Sequence, residues 1–271
     1  VTADRPKAPL PPLKWAGGKR WFASRYLHLL PDSYERYVEP FAGSAALFFA
    51  VQPKKALLAD LNGELVNLYE CIRDFPAKLK VKLATHHRAH SQEYYYKMRA
   101  TKPTSAVGRA ARTLYLNRTC WNGLYRVNRQ GQFNVPIGTK TNVILDTDDF
   151  EGLSAVLRGV DVVQSDFASI VDSAVEGDFV FIDPPYTVAH NTNGFVNYNE
   201  HLFSWQDQIR LRRHVEHAVD RGVKVLMTNA AHESIYRLYD GFEQIVVDRA
   251  GVIGGLKAMR GRFEEVVIRC Y

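Results

Sequence analysis

The sequence predicts an α/β protein: a parallel sheet of short buried strands interrupted by a basic, mainly helical insert. Three observations carry that expectation. Residues 179–186 read Phe-Val-Phe-Ile-Asp-Pro-Pro-Tyr, an apolar run suited to a strand buried on both faces, stopped by an acid, two prolines and a ring. Short apolar runs ending in Gly or Asp recur before and after long helical stretches, as in open α/β folds. Charge is also segregated: residues 75–145 hold thirteen lysines and arginines against one acid, Glu93, a net +12 that leaves −6 elsewhere.

Taken in order, residues 1–12 contain Pro6, Pro9, Pro11 and Pro12 and are expected to form a flexible, Pro-rich tail. A Gly-Gly loop follows at 13–20. Residues 37–41 suit a strand that breaks at Gly43 into a helix through 47–49, and 56–59 suit a second strand closed by Asp60. Helices are expected over 64–73, 77–87, 92–99 and 107–117. Residues 125–128 and 133–136 suit two short strands around a Gly turn. Alternation resumes with strands 160–164, 179–182 and 223–228, and a helix over 202–221 stopped by Gly222. Residues 243–248 and 264–271 suit a closing antiparallel pair. The expected domains are 13–60 with 150–271 as the sheet domain, and 61–149 as the insert.

Hydrophobic content of 46% and charged content of 24% fit a soluble globular chain. No apolar run approaches a membrane span and nothing N-terminal resembles a secretory signal. Cys71, Cys120 and Cys270 are odd in number and widely separated, so no disulfide framework is implied and a cytoplasmic setting is expected. The basic insert interleaves Tyr94, Tyr95, Tyr96, Tyr115, Trp121, Tyr125 and Phe133 with its cations, the footprint of a nucleic-acid partner.

The chemistry is expected where the chain leaves the sheet. Asp183, the Pro184 carbonyl and the Tyr186 face would offer two acceptors beside a stacking surface, a set suited to a planar base with an exocyclic amino group. Phe41-Ala42-Gly43 follows a strand and opens a helix, where doubly wound sheets bind nucleotide-like ligands, and Asp60 ends the next strand as a ribose acceptor would. Asp166 is a third acid at a strand end. Trp15-Ala16-Gly17-Gly18-Lys19 lacks the Gly-x4-Gly-Lys-Ser/Thr spacing of a phosphate loop; its glycines suit close approach to a small molecule, with Trp15 and Lys19 beside it. His86, His87 and His90 have no ligand set around them, so a surface helix near phosphates is expected, not a metal site.

Leu13-Lys14-Trp15-Ala16-Gly17-Gly18-Lys19, Val38-Glu39-Pro40-Phe41-Ala42-Gly43, Ala59-Asp60-Leu61-Asn62, Leu116-Asn117-Arg118, Asn122-Gly123-Leu124 and Asp183-Pro184-Pro185-Tyr186 stand in the order seen in the Dam-type (D12 class) DNA adenine-N6 methyltransferases. The chain resembles that family from about residue 13 to 271. The resemblance implies a Rossmann-like sheet binding S-adenosylmethionine (AdoMet), with 61–149 as the target-recognition domain and its hairpin in the major groove. It implies Trp15, Lys19, Phe41, Gly43, Asp60, Asp166 and Asp183 as AdoMet contacts, and Asp183, Pro184 and Tyr186 as holders of the target adenine. Lys14, Arg118, Asn122, Leu124, Arg126 and Pro136 become the expected DNA contacts, with GATC as the expected target, double-stranded DNA as partner and no metal. A monomer is expected.

Two positions depart from the family pattern. Ala45 stands where relatives often have a second glycine, and Thr139-Lys140-Thr141 stands where they often place an Arg and an aromatic. The alternatives are a DNA-binding relative without catalysis, and an enzyme acting on cytosine N4 or RNA. Cytosine-N4 relatives usually carry Ser at the position of Asp183.

Overall fold

The computed structural model describes residues 8–128, 130–189, 203–250 and 262–271. In chain order its elements begin with α1 (Arg20–Arg25), β1 (Arg36–Glu39), α2 (Ala46–Val51), β2 (Ala56–Asp60), α3 (Gly63–Asp74) and α4 (Pro76–Ala89). There follow α5 (Gln92–Ala100), α6 (Ala106–Thr119), α7 (Phe150–Leu157), β3 (Asp161–Gln164), α8 (Phe167–Asp172) and β4 (Asp178–Ile182). The chain ends with α9 (Trp205–Asp220), β5 (Lys224–Ala230), α10 (Glu233–Leu238), β6 (Glu243–Ala250) and β7 (Arg262–Cys270). Two compact units result, one of Val1–Ser24 and Gly43–Gln164, the other of Arg25–Ala42 and Ser165–Tyr271.

In the first unit β2 and β3 pair in parallel, with Leu58 opposite Val162 and Asp60 opposite Gln164. Helix α3 packs on this pair and on α6 and α7. Its core face, Leu65, Leu68, Tyr69 and Ile72, follows helical periodicity. Side chains cap the helices where the sequence has Asx or Ser: Asn62 accepts from Glu64 N at 3.0 Å, Ser91 from Tyr94 N at 3.1 Å and Asp149 from Gly152 N at 2.8 Å.

The second unit carries β1, β4, β5, β7 and β6 as consecutive neighbours. The first three run parallel, and β7 is antiparallel to both β5 and β6. The closing antiparallel pair is therefore present, with Asp248 opposite Glu264. Every residue of β4 is buried: residues 179–182 as an apolar run requires, and Asp178 in an ion pair with Arg36. A Ser204–Asp207 capping box starts α9, and Gly222, at φ +81°, follows its end.

Several expectations change. Residues 1–7 of the expected tail lie outside the described residues, but Pro11 and Pro12 are buried and Pro12 O accepts from Arg118 at 2.7 Å. The hairpin at 125–136 forms a turn with single bridges, Val127 to Phe133 and Cys120 to Ile137, instead of two strands. The Asn128 side chain accepts from Gln130 N and Gln132 N, which diverts the backbone from a longer ladder. Arg129 lies outside the described residues. His86 is not on a phosphate-facing surface: it is buried, stacked on Tyr115 at 5.0 Å and 2.8 Å from the Tyr94 hydroxyl. Tyr95 and Tyr115 are likewise core residues, while Tyr96 and Trp121 are exposed.

Candidate active site

In the first unit the glycine loop is built around Gly43. Its N–H donates to Asp60 Oδ2 at 3.0 Å, and its carbonyl accepts from the Tyr69 hydroxyl at 2.6 Å. Asp60 Oδ1 accepts from Asn62 N at 2.8 Å, so one carboxylate ties the end of β2 to the loop and to the start of α3. Burial raises the Asp60 pKa, against the two N–H donors. A Cβ on Gly43 would stand 2.8 Å from Trp15 Cδ1, so the indole lies directly over the glycine. Lys19 is 3% exposed and donates to Gly17 O at 2.8 Å. Trp15, Gly43 and Asp60 are thus brought together as expected, with Lys19 on the same loop as Trp15. Each Asp60 oxygen accepts one backbone N–H, and a carboxylate offers about four lone-pair sites, which fits a ribose diol beside the loop.

In the second unit Asp183 follows β4 directly. Its Oδ1 accepts from Thr228 Oγ1 on β5 at 2.8 Å, and the Tyr186 hydroxyl donates to Glu265 Oε2 on β7 at 2.6 Å. Burial, then the charges of Asp183 and Glu265, hold the Tyr186 pKa far above its usual value, keeping the hydroxyl protonated. Pro184 is buried. Asp166 caps α8 by accepting from Ala168 N at 2.9 Å, and Arg210 grips it bidentately at 2.8 and 2.9 Å. That guanidinium also lies 4.1 Å from the Phe167 ring centroid, and its hydrogen bonds hold the Asp166 carboxyl below the usual range. Phe41 stacks on Phe167 at 5.3 Å, with Phe203 edge-on to both. An ionised carboxylate beside an aromatic layer fits the recognition of a purine with an amino group.

The expected DNA contacts group around one turn of the first unit. Asn117 accepts from Lys14 N at 3.0 Å and donates to Lys14 O and Gly123 O at 2.8 and 3.0 Å. It thereby ties the Lys14 backbone to the Asn122–Leu124 turn. Asn122, at φ +55°, and Pro136 are exposed, Leu124 is half-buried, and Pro136 O accepts from Trp121 N at 2.9 Å. Arg126 is exposed and donates to Asn134 Oδ1 at 2.8 Å. Lys140 crowds Lys14 and lowers its ammonium pKa, a pairing of cations that a phosphate would relieve.

Arg118 corrects the expectation. Its side chain is 3% exposed and bound to both Asp148 oxygens at 2.7 Å and to Val143 O and Pro12 O. It braces the fold, with its guanidinium taken up by these groups. Arg109 and Arg112 are similarly engaged, with Glu64 and Asn67 and with the Met98 and Arg99 carbonyls. Lys78, Lys80, Lys82 and Arg88 of α4 remain exposed, so the basic surface is smaller than the residue count suggests. Among the described residues no three His, Cys, Asp or Glu side chains converge as a metal site.

Sequence reasoning missed Tyr69, Thr228, Glu265 and Arg210. Tyr69 lies within an expected helix with no local mark of its bond to Gly43, and the other three lie far along the chain from the groups they hold.

A family model for the D12 class N6 adenine-specific DNA methyltransferases matches residues 15–252. The type II methyltransferase M1.LlaDCHI of Lactococcus lactis subsp. cremoris is 37% identical over 267 residues, covering 95% of this chain and 94% of that protein. The type II methyltransferase M.MjaIII of Methanocaldococcus jannaschii is 33% identical, covering 95% and 98%. A DNA adenine methylase of Vibrio cholerae is 29% identical, covering 94% of each. With the Gly43–Asp60 loop, the Asp183–Tyr186 turn and these matches together, the chain belongs to the D12 class of N6 adenine-specific DNA methyltransferases.

Proposed function

We propose that this adenine-specific DNA methyltransferase acts on an adenine flipped out of double-stranded DNA, within GATC, using AdoMet as methyl donor and no metal. The observation that carries the reading is Asp183 at the carboxyl end of β4, fixed by Thr228, with Tyr186 three residues on. We assign Trp15, Lys19, Gly43 and Asp60 as the first unit's AdoMet contacts, and Phe41, Asp166 and Asp183 as the second unit's. Residues 61–149 serve as the target-recognition domain, with Lys14, Asn122, Leu124, Arg126 and Pro136 nearest the bases; Arg126 suits a bidentate contact to guanine. The chain is proposed to act as a monomer, and three buried free cysteines suit the cytoplasm.

Adenine N6 is out of reach inside a duplex, so the base must leave the stack at a cost of a few kcal/mol. Stacking on Tyr186, worth about 1–3 kcal/mol, offsets much of that. Asp183 and the Pro184 carbonyl accept the two N6 hydrogens and orient the nitrogen lone pair. AdoMet supplies an electrophilic methyl on a sulfonium sulfur. Formation of the N–C bond would break the S–C bond and leave the sulfur as a neutral thioether, and the Asp183 carboxylate or water would take one N6 proton. Alignment of the two reactants does most of the work, and Asp183 need not be a strong base.

Plasmid from cells expressing the chain tests the target. Resistance to a GATC nuclease blocked by adenine methylation is the expected result. Complete cutting in DNA that carries N6-methyladenine would overturn the GATC assignment.

A further inference from the structure

Glu265 is a carboxylate only 3% exposed, in the middle of β7, opposite Ala230 on β5 and Val247 on β6. Burying an ionised carboxylate is costly unless its lone pairs are well used. Its Oε2 takes the Tyr186 hydroxyl at 2.6 Å, within the range of strong O–H···O⁻ bonds. The register places Thr228 opposite Val267 and Ala230 opposite Glu265. Directly opposed antiparallel residues share a face, so Thr228 and Glu265 project to the same side of the sheet. Thr228 holds Asp183 from there, and Glu265 holds Tyr186.

We propose that Glu265 is a positioning residue for methyl transfer, anchoring the Tyr186 hydroxyl so that the ring presents a fixed face to the extruded adenine. A tyrosine ring is placed by two torsions: a hydrogen bond to its hydroxyl fixes where the ring axis ends, and, because the phenolic O–H prefers the ring plane, the direction of the acceptor also favours one tilt. Without it the ring still stacks but samples other tilts, and the N6 lone pair loses alignment with the methyl. Small misplacements of this kind cost far more in rate than in affinity. The inference rests on the assignment of Tyr186 as the stacking surface.

Single-turnover methylation by the full chain, with AdoMet and duplex affinities measured alongside, tests it through a double-mutant cycle. Glu265→Leu is expected to slow the methyl-transfer step roughly 10- to 100-fold, the rate equivalent of one charge-assisted hydrogen bond. Both affinities are expected to stay within about twofold, since no ligand contact is lost. Glu265→Gln keeps an acceptor at the same place and is expected to recover most of the rate. In a Tyr186→Phe background Glu265→Leu is expected to add no further loss, because the hydroxyl it serves is gone. Thermal melts accompany each variant, since Glu265→Leu takes this acceptor away from a buried hydroxyl at a cost in stability; the comparison of Glu265→Gln with Tyr186→Phe carries the test if Glu265→Leu does not fold. Equal losses in both backgrounds, or an unchanged rate in Glu265→Leu, would overturn the inference. Tyr186→Ala separates the two ideas: wild-type activity there removes the stacking assignment itself, whereas its loss with an additive cycle removes only the role of Glu265.

Discussion

Trp15 covers Gly43 so closely that a single added methyl group on the glycine would stand 2.8 Å from the indole Cδ1 and 3.1 Å from its Nε1. The same glycine, at φ +47°, gives its N–H to Asp60 and its carbonyl to Tyr69. The loop is therefore fixed on three sides by residues from three separate parts of the sequence.

Gly43→Ala must displace Trp15 or open the Asp60 bond, and it places a side chain at a left-handed backbone position. AdoMet affinity by titration calorimetry is expected to fall at least about tenfold, equivalent to one lost hydrogen bond or about 1.4 kcal/mol. Duplex affinity is expected to be unchanged. Wild-type AdoMet binding would show that the loop has no part in the cofactor site.

Ala45 occupies a left-handed position, φ 50° and ψ 35°, and is 0% exposed. A non-glycine residue there costs about 1–2 kcal/mol. Burying its methyl returns about 0.8 kcal/mol, and the stiffer unfolded chain about 0.4–1 kcal/mol. These terms nearly cancel, which explains how the chain tolerates alanine here. Ala45→Gly is expected to change unfolding free energy by less than about 1 kcal/mol. Ala45→Val, bulkier and β-branched, is expected to cost more than about 2 kcal/mol. A large stabilisation by glycine would contradict the cancellation.

Much of the sheet is legible in the sequence because buried parallel strands are written as continuous apolar runs. β4 and the turn after it could be placed from eight residues. The partners that organise the site could not. Thr228 lies 45 residues from Asp183, and Glu265 lies 79 from Tyr186, and no local pattern announces a contact across that span. Arg118, expected on the resemblance to contact DNA, turns inward for a reason equally hidden in the sequence, since its neutralising acid, Asp148, comes 30 residues later. The aromatics of residues 75–145 are interleaved with cations, and helical spacing puts Tyr95 and Tyr115 on the core side of α5 and α6.

If Arg118 is a brace, its value lies in Asp148. Asp148→Ala leaves a buried guanidinium without its counter-charge and is expected to destabilise the protein by about 3–5 kcal/mol. Arg118→Lys loses the bidentate geometry and is also expected to destabilise. Denaturant unfolding measures both. An unchanged midpoint for Asp148→Ala would contradict the bracing role.

Burial, reinforced by the charge of Lys82, lowers the His86 pKa from 6.5 to about 4. Between those values the unfolded chain binds the proton and the folded chain does not. The stability that depends on neutral His86 is therefore complete above about pH 6.5 and falls as pH drops towards 4. His86→Phe keeps the stack on Tyr115 and cannot titrate. Relative to that variant the wild type is expected to lose up to roughly 3 kcal/mol between pH 7 and pH 4. A difference that stays constant across that range would contradict it.

The central claim is that Asp183 presents the N6 amino group of a DNA adenine for methylation. Incubating the chain with methyl-labelled AdoMet and unmethylated duplex DNA, then identifying labelled nucleosides by mass spectrometry, tests it most directly. Label in N6-methyldeoxyadenosine alone, reduced to a trace by Asp183→Ala while the variant still binds DNA, is the expected result. Label in N4-methylcytosine, or undiminished N6 methylation by Asp183→Ala, would contradict the account.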